Sequence, residues 1–297
     1  MSLEVAIPVE RAVPAGPSML ARILAHRGLT LGLLLVGAVV FIALFAPLLA
    51  PHDPYAQDLM RRLVPPIWHE KGNWLNPLGT DNLGRDYLSR VLYGAQISLL
   101  IGFSVMLISG LIGATLGLVA GYFGGRIDWF ASLIITTRLA MPVVLVALAV
   151  VATIGGSLTI VILTLGFLKW DRFAVVMRSA TQQVRGLDYV AAAEAAGASR
   201  LRIVLGEILP NVVPHLIVVA TVEAGSAILL EAALSFLGLG VQPPLPSWGL
   251  MIAEAKTFMF FSFWLIAIPG AALALLVLGI NMVGDGLRDV FAPDGRA

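Results

Sequence analysis

A few charged residues interrupt apolar segments of the sequence, and they are its first candidates for chemistry. Glu223 and Glu231 are eight positions apart, about 80° around a helix, so they could share one broad face. Lys169, Asp171 and Arg172 form a second group earlier in the chain. Ionisable groups at membrane depth face protein or water, so all five could line a translocation path for the charged ends of a zwitterionic solute. Alternatively, they pair with one another and only hold the helices together.

The usual signatures of enzymatic chemistry are missing from the sequence. Its lysines are Lys71, Lys169 and Lys256, and none follows a glycine, so there is no P-loop that could hydrolyse ATP. No H-E-x-x-H zinc motif and no G-x-S-x-G nucleophile motif occurs. Cysteine is absent, which excludes disulfides and cysteine-based metal sites. We therefore expect a protein that is not an enzyme and has no catalytic, cofactor-binding or metal-binding residues.

The composition is typical of an integral membrane protein. Soluble domains carry roughly 25% charged residues, whereas this sequence of 297 residues has 12% charged and 59% hydrophobic residues. The formal net charge of +1 argues against a nucleic-acid partner. We therefore expect the chain to be surrounded by membrane lipid.

Long uncharged segments predict six membrane-spanning helices. A span needs about 20 apolar residues, but 158–168 supplies only about 11, roughly 16 Å, before charges begin. We interpret the fourth span as continuing past these charges, which then lie at membrane depth. Arg138, inside the third span, is expected to extend its head group to the inner interface. The predicted spans are 29–50, 96–123, 129–154, 158 to about 177, 212–237 and 261–283.

The positive charges of Arg22 and Arg27 precede the first span, which places the N-terminus in the cytoplasm. Six spans return the C-terminus to the same side. The predicted organisation is a cytoplasmic tail at 1–27, a first helix with a periplasmic segment at 28–94, a five-helix core at 95–290 and a cytoplasmic tail at 291–297.

Two outer segments carry local structural signals. Asp81 is predicted to be an N-cap, and Asp86 with Arg90 makes an i,i+4 pair that leads into the second span. We favour this capped helix entrance over direct contact with a substrate. The double proline at 243–244 and Trp248 predict a rigid segment at the outer membrane interface.

The inner segment 188–211, DYVAAAEAAGASRLRIVLGEILPN, predicts two short helices joined by a glycine turn. Asp188 is the expected N-cap of the first helix, which Gly197 ends because glycine adopts the left-handed conformation. Ser199 is the expected cap of a second helix that runs to Pro210. A small, smooth helix and a turn suit insertion into a groove on another protein, although alanine-rich sequence is also ordinary helix filler.

The segment 188–211 resembles the EAA loop of ABC importer permeases. That pattern is Glu-Ala-Ala, three residues, Gly, and a run that ends in Leu-Pro. Ala192, Ala193, Gly197, Leu209 and Pro210 match it in register, whereas alanine stands at 191 where the pattern has glutamate. Segments 78–99, 235–249 and 281–293 are similar to the dipeptide, oligopeptide and nickel branch of these permeases, so the resemblance covers roughly 28–293.

The resemblance implies an all-α integral membrane protein with six transmembrane helices, the type I ABC importer permease fold and a cytoplasmic coupling-helix loop. Implied partners are a second, homologous permease, two ATPase subunits that bind ATP and Mg, and an extracytoplasmic solute-binding protein, in the bacterial inner membrane. Peptides are the leading substrate, with nickel chelates, glutathione-like compounds and opines left open. The residues expected to couple to the ATPases are Asp188, Tyr189, Ala192, Ala193, Gly197, Ala198, Ser199, Leu209 and Pro210.

A proton-coupled secondary transporter that works without ATPases is the alternative function, with Glu223 or Asp171 as the proton carrier. Such transporters often contain two similar halves. We find no internal repeat in this sequence, which favours the importer.

Overall fold

The computed structural model describes residues 22–23 and 25–291 of the chain. The predicted tails at 1–27 and 291–297 therefore lie mostly outside the described residues. Within the described ranges, the sole β pairing is an isolated bridge between Thr80 and Asp86, and the fold is otherwise helical. The all-α prediction is confirmed.

Ten helices of the described part position the candidate sites. The eighth is continuous over 37 residues and consists of an α-helical turn at Arg200–Arg202, a π-helix at Ile203–Ile208 and an α-helix at Leu209–Phe236. In order, the helices are α1 Arg27–Leu49, α2 Tyr87–Phe123, α3 Gly125–Leu139, α4 Val143–Ile154, α5 Leu158–Leu168, α6 Asp171–Arg185, α7 Asp188–Ala195, α8 Arg200–Phe236, α9 Trp248–Ala255 and α10 Trp264–Phe291.

Four of these helices, α1, α2, α8 and α10, are long and apolar enough to cross a membrane. The pair α3 and α4 would make a fifth crossing, although the two helices are bent by 77° relative to each other. The described residues therefore hold four or five candidate spans, where the sequence predicted six. The difference is the fourth predicted span, which the structure divides into α5 and α6 at Lys169–Trp170.

The third predicted span, 129–154, is not one straight helix, because the chain breaks between α3 and α4. Pro142 precedes α4 and has no N–H to continue the hydrogen-bond ladder. The Arg138 guanidinium donates to the carbonyl oxygen of Met141 at 3.2 Å and to that of Leu168. Arg138 thus satisfies backbone carbonyls near the break, and its expected extension to the inner interface stays a prediction.

Helix α2 packs closely on α6 through glycines spaced four residues apart. A Cβ atom at Gly117 would lie 2.5 Å from the carbonyl oxygen of Ala174, and one at Gly121 would lie 2.7 Å from that of Arg178. A Cβ atom at Gly113 would lie closer still, 2.2 Å from the carbonyl oxygen of Trp170, the N-cap of α6. Small residues let helix backbones approach in lipid, where the hydrophobic effect does not drive helices together. This glycine seam, formed by Gly113, Gly117 and Gly121, places the start of α6 directly against α2.

The outer entrance of α2 is capped differently from the prediction. Asp86 is the N-cap, and its carboxylate accepts from the backbone N–H and the hydroxyl of Ser89 at 2.8 and 2.7 Å. Asp81 instead closes the preceding turn. Arg90 pairs with Asp81 at 3.3 Å and with Glu254 at 2.8 Å, so the predicted Asp86–Arg90 pair is wrong.

Trp248 opens α9 and is buried, with 2% of its surface exposed, so its side chain packs on protein, while the interfacial position of its segment stays a prediction. Its indole N–H donates to the carbonyl oxygen of Val91 at 3.0 Å, and its backbone N–H donates to Ser98. These bonds fix the start of α9 on α2.

Candidate coupling loop and buried charge clusters

The first helix of the inner segment, α7, begins one residue earlier than predicted. Leu187 is its N-cap and makes no side-chain capping bond, while Asp188 is the first helical residue. The expected N-cap role of Asp188 is therefore wrong. A carboxylate in the first turn still favours the helix, because it lies near the positive end of the helix dipole.

The turn after α7 is a Schellman motif, and Gly197 is the residue that makes it possible. Its φ is +80°, its N–H donates to the carbonyl of Glu194 at 2.9 Å, and the Ala198 N–H donates to that of Ala193 at 3.1 Å. These are the two bonds that satisfy the last carbonyls of a helix ended by a left-handed glycine. Ser199 then caps the next helix by accepting from the Arg202 N–H at 3.4 Å. Both predicted roles, the glycine stop and the serine cap, are confirmed.

The second helix of this segment does not end at Pro210. A π-helix at Ile203–Ile208 joins it to the long membrane helix, with Pro210 in the first turn of the α-helix that follows. Proline has no N–H to continue the hydrogen-bond ladder, and it lies where the π-helix changes to an α-helix. The turn at Gly197 is thus joined directly to α8, whose 37 residues extend about 55 Å.

One face of α7 is fixed to the helix bundle and the opposite face is exposed. Val190 is 1% exposed and packs in a core cluster with Ile203 and Ile208. Ala193, Ala198 and Leu209 pack against this cluster and are half-buried. The structure therefore divides the predicted coupling residues into two groups. The exposed group is Asp188, Tyr189, Ala192, Gly197, Ser199 and Pro210.

Large apolar side chains beside this loop are also exposed, and sequence reasoning missed them. Leu201 is 69% exposed, Leu205 is 52% exposed and Leu187 is 49% exposed. The first two lie on the first turns of α8. Their signal in the sequence was weak, because leucines in an apolar segment are ordinarily assigned to the core or to lipid contact.

Three of the five charged candidates meet at the α5–α6 junction. Glu223 of α8 is 1% exposed and pairs with Lys169 at 2.7 Å and with Arg172 at 3.4 Å. Lys169 also donates to the Ser226 hydroxyl at 2.8 Å. The Arg172 side chain remains 65% exposed. The cluster compensates a carboxylate that would otherwise be buried without a counter-ion.

The other two candidates lie apart from this cluster. Glu231 is fully buried, and its carboxylate accepts from the hydroxyls of Ser235 at 2.7 Å and Ser247 at 3.0 Å. Ser247 is the N-cap of α9, so Glu231 connects α8 to that helix. The Asp171 side chain accepts from the backbone N–H of Arg172 at 3.0 Å. The five candidates therefore form one ion cluster of three residues and two separate carboxylates, rather than a single grouping.

A second ion cluster on the outer side was not predicted as a unit. Arg85 pairs with Asp81 at 2.6 Å and with Glu254 at 3.1 Å, and Arg90 contacts the same two carboxylates. The Arg85 and Arg90 side chains are 2% and 0% exposed. This outer quartet, Asp81, Arg85, Arg90 and Glu254, has no net formal charge. It ties the last turn of α9 to the start of α2. The local sequence shows only three of its members, because Glu254 is distant along the chain.

Within residues 22–23 and 25–291, no group of three or more His, Cys, Asp or Glu side chains is arranged to hold a metal ion.

Residues 113–296 match the family model described as the binding-protein-dependent transport system inner membrane component. The chain belongs to this family. Residues 18–66 of the permease also match the N-terminal TM domain of oligopeptide transport permease C. The resemblance found in the sequence is confirmed over both regions.

The permease is similar to curated peptide transport permeases. It is 43% identical to the di/tripeptide transport system permease protein DppC of Pseudomonas aeruginosa, over 90% of this chain and 88% of that protein. It is 42% identical to the dipeptide transport system permease protein DppC of Escherichia coli, over 90% of this chain and 89% of that protein.

A solved structure of the MetNI methionine ABC transporter, in an inward-facing conformation, has the same fold. It aligns with a TM-score of 0.57 over 69% of the permease and 98% of that chain, at 19% identity. Together with the family match, this makes the permease a membrane subunit of an ABC importer of the type I fold. The comparisons support this function and not the proton-coupled secondary transporter.

Proposed function

We propose that this permease forms half of the translocation pathway of an ABC importer for dipeptides or other short peptides. The observation that carries the proposal is the similarity, at about 40% identity over most of the chain, to permeases named for dipeptide and di/tripeptide transport. Nickel chelates, glutathione-like compounds and opines are less favoured, because the relatives compared above are named for peptides.

The proposed topology has six crossings with both ends in the cytoplasm. They are α1, α2, the bent pair α3–α4, the pair α5–α6, α8 and α10. In the fourth crossing of this scheme, the pair α5 and α6, the charge of Lys169 is compensated by buried Glu223, so the junction can lie at membrane depth. This topology places 51–86 and 237–263 outside and the turn at Gly197 inside. It keeps the predicted division into a first helix with its outer segment and a five-crossing core.

The proposed partners are a second, homologous permease, two ATPase subunits that bind ATP and Mg, and an external solute-binding protein. The loop at 188–199 is proposed to dock on an ATPase. Support comes from its exposed, small-residue face and from the exposed Leu201 and Leu205 beside it. Large apolar side chains exposed on a surface that faces water are typical of a protein interface. The half-buried Ala193, Ala198 and Leu209 would position the loop rather than touch the partner.

Motion of an ATPase against this loop would reach the membrane through α8. No loop separates the Gly197 turn from α8, so displacement of α7 moves the start of that helix. The buried Val190 contributes a fixed contact between α7 and the bundle. Alternation between inward-open and outward-open states would then follow ATP binding and hydrolysis by the partners.

The charge cluster at the α5–α6 junction has a narrower role in this proposal. Glu223 and Lys169 are buried and satisfy each other, which favours a structural function. Arg172 is the exposed member and is the one proposed to contact the carboxylate of a passing solute. Asp171 and Glu231 remain candidate path residues without a shared site.

The test is uptake by the complete transporter in proteoliposomes. The permease, its partner permease, the ATPases and the binding protein are reconstituted, and entry of a radiolabelled dipeptide is measured. Uptake should need both ATP and the binding protein and should survive a protonophore. Dipeptide uptake by the purified permease alone, or its collapse with the protonophore, would refute the proposal.

A further inference from the structure

A cavity of about 200 Å³ lies at the proposed outer end of α8, between that end, the following loop and α9. Sites that enclose a whole drug-sized ligand usually measure roughly 300–1,000 Å³. This cavity is smaller, so it can receive one end of a molecule rather than all of it. The side chains that matter for its chemistry are Phe236, Val241, Gln242, Leu250, Glu254 and Lys256.

The unpaired charge on the cavity wall is the single positive charge of Lys256. Glu254 lines the cavity, but its Oε2 atom is already held by Arg85 and Arg90 in the outer quartet, which has no net formal charge. Lys256 is exposed, and its ammonium lies 5.5 Å from the centroid of the Phe236 ring. Among the described residues, no carboxylate lies within ion-pair distance of Lys256. The cavity therefore suits an anionic group with an apolar neighbour.

We propose that this cavity receives the C-terminal carboxylate of the transported peptide, with Lys256 as its counter-ion. The ring of Phe236 holds the ammonium by a cation–π contact. Phe236, which is 46% exposed, offers apolar surface to the last side chain of the peptide, and the buried Val241 and Leu250 complete that wall. An ammonium end fits poorly, because Glu254 is already shared by two guanidinium groups. This inference rests on the proposed peptide substrate and specifies which end of the peptide the permease recognises.

The fixed walls support a preformed site. Glu254 is held by the quartet, and the start of α9 is held on α2 by the indole of Trp248. On the other wall, Ser235 lines the cavity and donates to buried Glu231. A site with immobile walls loses little conformational freedom when a ligand enters it.

The lysine content of the chain makes a direct test possible. Its lysines are Lys71, Lys169 and Lys256; the first and last are exposed, whereas Lys169 is buried and paired. The assembled transporter in proteoliposomes is treated with a membrane-impermeant amine reagent, and labelling of Lys256 relative to Lys71 is measured by mass spectrometry. The probes are alanyl-alanine, its C-terminal amide, and the binding protein with and without alanyl-alanine.

Alanyl-alanine should lower Lys256 labelling along a saturation curve, while its amide leaves the labelling unchanged and Lys71 reacts equally throughout. Equal labelling with and without the free acid would overturn the site. Protection by the peptide-free binding protein, as strong as by the loaded one, would assign Lys256 to a protein contact and would also overturn it.

A variant separates this site from the transport function. Lys256→Gln should raise the KM for alanyl-alanine uptake about 1.5- to 5-fold, the factor for one exposed ion pair. The turnover rate should not change, Lys256→Arg should behave like the wild type, and Lys71→Gln is the control. An unchanged KM in Lys256→Gln would refute the role of the ammonium. If the wild type takes up dipeptides with ATP but Lys256 fails both tests, the site is refuted and the proposed function stands.

Discussion

The glycine seam between α2 and α6 gives a prediction in which geometry decides between two opposing effects. In Gly117→Ala, the new Cβ would lie 2.5 Å from the Ala174 carbonyl oxygen, 2.8 Å from the Arg178 nitrogen and 2.8 Å from the Met177 Cβ. Two of these atoms are backbone and the third is attached to it, so no side-chain rotation removes the overlap. The helices must separate along the seam.

The expected magnitude follows from two terms. Alanine is better than glycine in a helix by about 1 kcal/mol, which favours the variant. Adding a methyl group to a closely packed site costs about 1–3 kcal/mol, and backbone contacts place the cost at the upper end. We therefore expect a net loss of about 1–2 kcal/mol. At about 2–4 °C per kcal/mol for chains of this size class, the melting temperature falls by several degrees.

The assay is thermal unfolding of the purified permease in detergent, followed by near-ultraviolet circular dichroism. The matched control is Gly37→Ala in α1, where a Cβ would meet no atom within 4 Å. That variant keeps or gains stability. Gly113→Ala combined with Gly117→Ala should lose less than the sum of the single losses, because one separation relieves both overlaps. A Gly117→Ala melting temperature equal to or above that of the control would refute the close-packing argument.

Three further predictions concern the coupling loop and the ion clusters. Gly197→Val should abolish ATP-driven uptake and co-purification of the ATPases, because valine disfavours a φ of +80°, whereas Gly197→Asn should retain most uptake; normal uptake by the valine variant would contradict this. Glu223→Gln should destabilise the permease by about 3–5 kcal/mol in thermal melts, because it leaves Lys169 buried without a counter-ion, while the KM for uptake stays unchanged. The double variant Lys169→Met, Glu223→Leu should recover most of this loss. A failure to recover would indicate that the broken pair is not the cause. Arg90→Met should lower the melting temperature comparably, because Glu254 and Asp81 then share one guanidinium. Limited proteolysis should also cleave the loop after α9 sooner in this variant. An unaltered melt and cleavage rate would show that the quartet does not hold α9.

The sequence alone determined the class of protein and much of its local structure. An apolar run predicts a helix in lipid because every backbone group must be satisfied within the segment. The stop at Gly197 and the cap at Ser199 depend only on residues three to five positions away, so local conformational preference was sufficient. The family was recognisable because four separated motifs occur in order.

Tertiary contacts decided the features that the sequence left ambiguous. Asp81 and Asp86 are both plausible caps by local chemistry. Asp86 begins the helix, whereas Asp81 is held by Arg85 and Arg90 in the quartet with distant Glu254. Glu223 is paired with Lys169 at the α5–α6 junction. Glu231, on the same helix as Glu223, lies in a separate site with Ser235 and Ser247. Desolvated charges must be paired within a few ångströms, and which pairs form depends on how the helices pack. That packing is set by backbone shape, including the glycine seam, and charge spacing along the chain does not encode it.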